Sequence, residues 1–256
     1  ERHRRNRNAS MYEADPIIDL RTGVSSLIPL PTPKEYQNGY DKKTGSPNTY
    51  SDLIQFIEET ISKAHTTSKT CALRKELNTG LYLDYLAVMA IVQGKDHVRK
   101  NYFMSLQKDA SGEHRWEFYP WDLDLTFGCL YTDEHLTLCN TFTHTDDPFF
   151  GRLPAGVNVT YPMTTAFNLL IDTVLKDKEL LKETEKRICN MLKSNFWQKQ
   201  ILNLIKAYEE ALLPEISSDT WDRNKSVDEF KKAVAEVRSF VSLRSQHLTK
   251  LFHCPQ

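Results

Sequence analysis

The residues whose types and spacing could do chemistry lie between positions 96 and 124. Asp96 stands five positions before Asn101 in Asp96-His-Val-Arg-Lys-Asn101-Tyr-Phe-Met. The run Trp116-Glu-Phe-Tyr-Pro-Trp-Asp122-Leu-Asp124-Leu-Thr-Phe-Gly128 follows. An acid, an amide and a pair of carboxylates together supply a proton acceptor and a set of oxygen ligands. Phosphoryl transfer needs that combination, because Mg2+ prefers hard oxygen ligands and the attacking hydroxyl must give up a proton. Singly, each part has an ordinary explanation: Asp and Asn are common in loops, and carboxylates two apart in a strand share a face and can cap the next helix. Their combination across one hairpin, behind a buried helix, brings the functional reading level with the ordinary one. The aromatics Trp116, Phe118, Tyr119, Trp121 and Phe127 read as core rather than as a ligand platform, with Trp121 singled out as the exception to test.

Those side chains need a scaffold. A helix is expected over Thr79 to Val92, where Leu81, Leu83, Tyr85, Leu86, Met89 and Ile91 make it apolar on most sides and therefore buried. Gly94 is expected to end it in a left-handed cap, which leaves Asp96 on accessible backbone just beyond a rigid element. Two strand-like runs, Asn101 to Gln107 and Arg115 to Tyr119, flank the hairpin-like Lys108 to Gly112, and a hairpin there brings Asn101 beside Asp122. Upstream, residues 1 to 50 read as irregular: Met11 to Ala14 is strand-like, Asp15-Pro16 breaks it, and Pro29 to Asn48 reads as one long loop. A helix then starts with Ser51 as its N-cap and Leu53, Ile54, Ile57 and Ile61 on its apolar face. After a polar loop from Cys129 to Pro162, helices are expected at 164 to 176, 178 to 193, 195 to 212 and 227 to 251, jointed at Asp177, Asn195 and Asp222-Arg-Asn. The fold class is α+β and mainly helical.

Composition narrows the function classes. A 256-residue chain with 40% hydrophobic and 26% charged residues is an ordinary soluble globular protein of one large domain or two small ones. A formal net charge of −1 gives no pull toward nucleic acid or an anionic membrane, and the Arg2, Arg4, Arg5, Arg7 run reads as a solvated tail. No apolar run approaches the ~20 residues of a membrane span. The chain opens on Glu1, which reads as a fragment or a processed product. Five cysteines without CxxC spacing argue against structural zinc; free thiols are the expectation, with a Cys129–Cys139 bridge as the alternative. Sequons at Asn8, Asn158 and Asn224 are near chance in number.

The run Tyr82-Leu-Asp-Tyr-Leu-Ala-Val, Asp96 with Asn101-Tyr-Phe-Met-Ser-Leu, and Phe118-Tyr-Pro-Trp-Asp-Leu-Asp-Leu-Thr-Phe-Gly128 resembles the spore coat protein H (CotH) kinase family. Leu213-Pro-Glu-Ile-Ser-Ser-Asp219-Thr-Trp221 and Phe240-Val-Ser-Leu-Arg244 look like its landmarks downstream, so the resemblance covers about residues 10 to 252. It implies an atypical protein-kinase-like fold that phosphorylates Ser or Thr of coat, surface or secreted proteins. The implied cofactors are ATP and Mg2+ or Mn2+. Asp96 then resembles the catalytic-loop aspartate, Asn101 and Asp122 resemble metal ligands, and Asp124 a second carboxylate ligand or orienter. Trp121 and Lys95 are candidates for contact with the nucleotide. The implied setting is extracellular, cell-surface or spore-coat, with a Ser/Thr-bearing protein as substrate and no nucleic acid as partner.

The chain departs from the family pattern at Gly94-Lys95, where the family carries Asn-Trp before its first Asp. Residues 1 to 50 hold no Gly-rich phosphate loop and no strand lysine, so they read as a remnant of the N-terminal lobe. Residues 51 to 256 read as a C-terminal lobe whose central β-hairpin carries the metal site, a piece that binds nucleotide poorly alone. Two other readings remain open on the sequence: a non-catalytic pseudokinase or surface adhesion module, and a hydrolase built on Asp96, Asp122 and Asp124.

Overall fold

The structure, a computed structural model, describes residues 9–14, 26–46, 49–109, 111–131, 137–138, 143–152, 167–193, 196–218 and 226–255. Its elements run β1 (Met11–Ala14), α1 (Pro33–Gly39), β2 (Tyr40–Thr44), α2 (Ser51–Gln55), a π-helical stretch Phe56–Ile61, α3 (Ser62–Thr67), α4 (Cys71–Glu76), α5 (Thr79–Val92) and a 3-10 turn Lys95–Val98. There follow β3 (Tyr102–Lys108), β4 (His114–Pro120), β5 (Leu130–Tyr131), β6 (Thr137–Leu138), α6 (Leu169–Lys176), α7 (Lys178–Leu192), α8 (Phe196–Ser218) and α9 (Val227–Leu251). The chain is α+β and mainly helical, with a small antiparallel sheet. It divides into two compact units, one of Glu1–Ala87, Lys95–Leu123 and Phe149–Thr184, the other of Val88–Gly94, Asp124–Pro148 and Glu185–Gln256.

The first unit is organised by an antiparallel sheet of order β2-β1-β3-β4. The expected hairpin forms: Tyr102 pairs with Pro120 and Lys108 with His114. Alternation along β4 sends Trp116 and Phe118 into the core, where Trp116 stacks on Phe56 at 5.0 Å and Phe118 meets the edge of Tyr82 at 4.9 Å. These two are core, as read from the sequence.

Two upstream expectations are corrected. Residues 29 to 48 are not one loop, because α1 and β2 lie within them. Pro33 suits the first turn of a helix, and Tyr40–Thr44 gives β1 a backbone partner on its other edge. The run was hidden because β2 is a polar edge strand apart from buried Tyr40. Ser51 is not an N-cap but the first residue of α2, whose cap position is Tyr50 without a side-chain cap bond. Asp52 does that local work instead: its Oδ1 accepts from Leu53 N at 3.0 Å and from the Tyr12 hydroxyl at 2.5 Å.

Also in this unit, α6 starts at Leu169 rather than residue 164: Asn168 caps it with bonds to the amides of Leu170 and Ile171, and Asp177 joins α6 to α7. Burial alone would raise the Asp177 carboxyl. Bonds from Thr70, the Leu180 amide, Arg74 and the Glu179 amide outweigh it and hold the group below the usual carboxylate range. Asp172, buried in α6, receives His65 Nε2 at 2.7 Å and Lys176 Nζ at 2.6 Å.

The second unit contains the α8–α9 pair, tied by Arg238 to Glu209 and by Gln198 to Ser242. Pro214 lies inside α8, which continues to Ser218 rather than ending at residue 212. Arg244 of α9 is wholly buried among backbone carbonyls, donating to Ala90, His144 and Asp146 at 2.7 to 3.2 Å. Burial pushes its guanidinium down to about 10, against the opposing pull of Asp146 and Asp147.

The expectation of free thiols is also corrected. Cys189 and Cys254 are bridged, Cys129 is disulfide-bonded, and Cys71 is free and exposed. A bridge spanning 65 positions leaves no local spacing signal. Cys139, the sequon asparagines Asn8, Asn158 and Asn224, Asp15-Pro16, the Arg2 to Arg7 run, Asn195 and Asp222-Arg-Asn lie outside the described residues. Among the described residues no helix is long and apolar enough to cross a membrane.

Candidate active site

Helix α5 ends at Val92, but not as read. The left-handed residue is Gln93, with φ 59°, whereas Gly94 supplies room: a Cβ there would meet Met89 Sδ at 2.9 Å. The following 3-10 turn carries Asp96. Its neighbours His97 and Val98 are buried, and the His97 ring meets the edge of Tyr85 at 5.5 Å. Asp96 itself keeps its side chain 32% exposed.

The structure brings Asp96, Asn101 and Asp122 together. Asn101 Nδ2 donates to Asp96 Oδ2 at 3.0 Å and lies 3.4 Å from the Asp122 carbonyl oxygen. Asn101 is locked by the sheet on both sides: its amide donates to Ala14 O at 3.0 Å, and its carbonyl accepts from Trp121 N at 3.0 Å. The hairpin thus does place Asn101 beside Asp122, as its length suggested.

Asn101 and Asp122 are two of the seven non-glycine residues with positive φ among those described. Asn101 has φ 60° and Asp122 φ 48°. Asn and Asp tolerate this conformation best, yet each instance still disfavours the fold, by about 1–3 kcal/mol for residues without that tolerance, and persists only where the surroundings over-determine it. Asp122 therefore does not continue β4, and the strand alternation weighed for Asp122 and Asp124 does not apply. Asp124 is exposed and groups with the second unit.

The donor chemistry fits a hard divalent cation. With Nδ2 committed to Asp96 and Asp122, the amide of Asn101 has Oδ1 as its acceptor, and Asp122 is exposed and forms no ion pair among the described residues. No group of three or more His, Cys, Asp or Glu side chains gathers among the described residues. Mg2+ does not require one, since it commonly keeps water and phosphate oxygens beside one or two carboxylates.

Three residues refine the sequence reading. Lys95 places Nζ over the Phe150 ring, 4.6 Å from its centroid. Lys100, which sequence reasoning passed over, puts Nζ 3.2 Å from Asp96 Oδ2. The signal was an acid and a lysine four apart, generic anywhere but beside a candidate base. Trp121 is 53% exposed and meets the edge of Phe103 at 5.2 Å, unlike the buried Trp116. Set against known proteins, residues 1–248 match the family described as CotH kinase protein. No curated protein matches the chain.

Proposed function

The chain belongs to the CotH kinase protein family, and on that premise we propose that it transfers the γ-phosphate of ATP to a Ser or Thr hydroxyl of a coat, surface or secreted protein. The observation that carries this reading is the contact of Asn101 with both Asp96 and Asp122 while Asn101 and Asp122 hold left-handed backbone. Asp96 orients the acceptor hydroxyl and takes its proton; Lys100 and Asn101 fix the direction of its carboxylate. Asn101 Oδ1 and the Asp122 carboxylate would hold Mg2+ or Mn2+. Such a cation, when bound, neutralises charge on the β- and γ-phosphates. Exposed Trp121 offers a flat surface for the nucleotide base, and Lys95 a cation for phosphate. The Cys189–Cys254 bridge supports an oxidising compartment, and so a secreted or surface setting.

A second reading, a non-catalytic surface module on the same fold, draws on Lys95. That residue replaces the family's aromatic and is engaged with Phe150. Calorimetric titration of the intact protein with ATP, with and without Mn2+, separates the two. Phosphoryl transfer expects binding that requires both components and is lost in Asp122→Ala. Absence of metal-dependent nucleotide binding in the wild type favours the surface module.

A further inference from the structure

The Asp96 turn is short. A single 3-10 turn has little stability of its own, since its hydrogen bonds are poorly aligned and a lone helical turn is a costly nucleus. Yet it must hold Asp96 against Asn101, whose left-handed backbone is itself strained. Something outside the turn has to fix it.

We propose that Asn168 is that positioning residue. Its side chain is buried, 2% exposed, and both its oxygen and its nitrogen are hydrogen-bonded. Oδ1 accepts from the amides of Leu170 and Ile171, both at 3.1 Å, which is the N-cap of α6. Nδ2 donates to the carbonyl of Val98 at 2.9 Å, and Val98 is the last residue of the Asp96 turn. Because the amide is planar, docking its oxygen on the helix end fixes the direction in which its nitrogen points. The rigid helix thereby sets the position of the turn.

The surroundings are built for this approach. Asn168 N donates to Gly151 O at 3.1 Å. Gly151 has φ 87°, and a Cβ there would lie 3.1 Å from Ile171 Cδ1 and 3.2 Å from Val98 Cγ1. Only glycine lets that strand of chain pass between α6 and the turn. With Val98 wholly buried and held at its carbonyl, and His97 held by Tyr85, the partly exposed residues left to the turn are Lys95 and Asp96.

Capping alone does not call for asparagine. Ser and Asp cap as well, and neither can do both jobs at this site: Asp has no donor, and the Ser side chain is a bond shorter and carries a single oxygen. The variants Asn168→Asp and Asn168→Ser therefore separate the two roles. The consequence for catalysis rests on the phosphoryl-transfer reading; the consequence for the turn does not.

The test is amide hydrogen exchange across residues 95 to 101 in the wild type and both variants, with thermal unfolding as a control and steady-state kinase assays alongside. Exchange at Arg99, Lys100 and Asn101 is expected to rise about tenfold in both variants, as loss of one buried bond allows, while the α6 amides stay protected. If the aspartate variant does not fold, the serine variant decides. Unchanged exchange in this segment overturns the proposal. In the assay, kcat is expected to fall about tenfold with KM for ATP within about twofold. A variant that raises KM alone, with kcat intact, also overturns it. A wild type without phosphoryl transfer removes the functional reading and leaves the exchange result to decide the role of Asn168.

Discussion

Asn101 Nδ2 sits 3.0 Å from Asp96 Oδ2, although Asp96 lies within the 3-10 turn and Asn101 directly precedes the first strand of the hairpin. A single amide thus links the candidate base to the strand that leads to Asp122. Its backbone, at φ 60°, is one that few side chains accept.

That geometry separates stability from activity at position 101. Asn101→Gly relieves the left-handed backbone and should leave folding stability within about 1 kcal/mol of wild type, while removing the amide oxygen and with it metal-dependent activity. Asn101→Val, β-branched at positive φ, should cost about 1–3 kcal/mol. Chemical denaturation of both variants, paired with an activity assay, checks this. Equal losses in stability would show that the backbone conformation is not what constrains the residue.

Arg244 makes a different kind of statement. Its partners are carbonyls of Ala90, His144 and Asp146 rather than carboxylates. Arg244→Met should therefore lower stability by about 3–5 kcal/mol, since several buried acceptors lose their donor at once. Salt up to about 1 M should leave this gap intact, because screening acts on exposed charge pairs. A gap that shrinks with salt would mean that Asp146 and Asp147 dominate.

Asp109 gives a pH signature. The Ser111 hydroxyl bond is the largest influence on its carboxyl, burial opposes it, and Arg115 and the amides of Glu113 and Ser111 add to it, so the group sits at about 2. A depressed folded pKa means that the unfolded chain takes up the proton first. Its contribution is thus complete above the ordinary Asp value, about 3.9, and is lost as pH falls toward about 2. Asp109→Asn keeps Oδ1 for the turn but loses the ion pair with Arg115. Melting temperatures of wild type and variant should differ at pH 6 and converge by about pH 2. A difference that persists unchanged into acid would exclude the carboxylate as its source.

The Cys189–Cys254 bridge closes a separation of 65 positions. Chain-entropy reasoning assigns such a loop about 4 kcal/mol, an upper figure for the loss in a Cys189→Ser/Cys254→Ser double variant. Unfolding midpoints in denaturant measure it. A double variant as stable as wild type would mean that the bridge adds nothing to folding.

How much of this was legible in the sequence depends on the range of the signal. The β3–β4 hairpin and α9 were readable because period-2 and period-3.6 patterns are local, and α9 spans Val227–Leu251 as its spacing indicated. The proximity of Asn101 to Asp122 followed from the hairpin alone. Strand β2 was not legible, since a polar edge strand is defined by its partner β1 rather than by its own residues. Nor was Asn168 visible, because the helix expected from residue 164 placed it inside rather than at the cap of α6, and its second bond reaches back 70 positions to Val98. The left-handed backbone at Asp122 escaped for a similar reason: the Pro-Trp-Asp run read as the continuation of a strand.

The most direct measurement is transfer of labelled γ-phosphate from ATP onto the protein itself in Mn2+ or Mg2+, comparing wild type with Asp122→Ala and Asp96→Asn. Phosphoryl transfer through this site predicts incorporation by the wild type, none by Asp122→Ala, and a fall of about 10²–10⁴-fold in Asp96→Asn, the range of a lost general base. Undiminished incorporation by folded Asp122→Ala would contradict it.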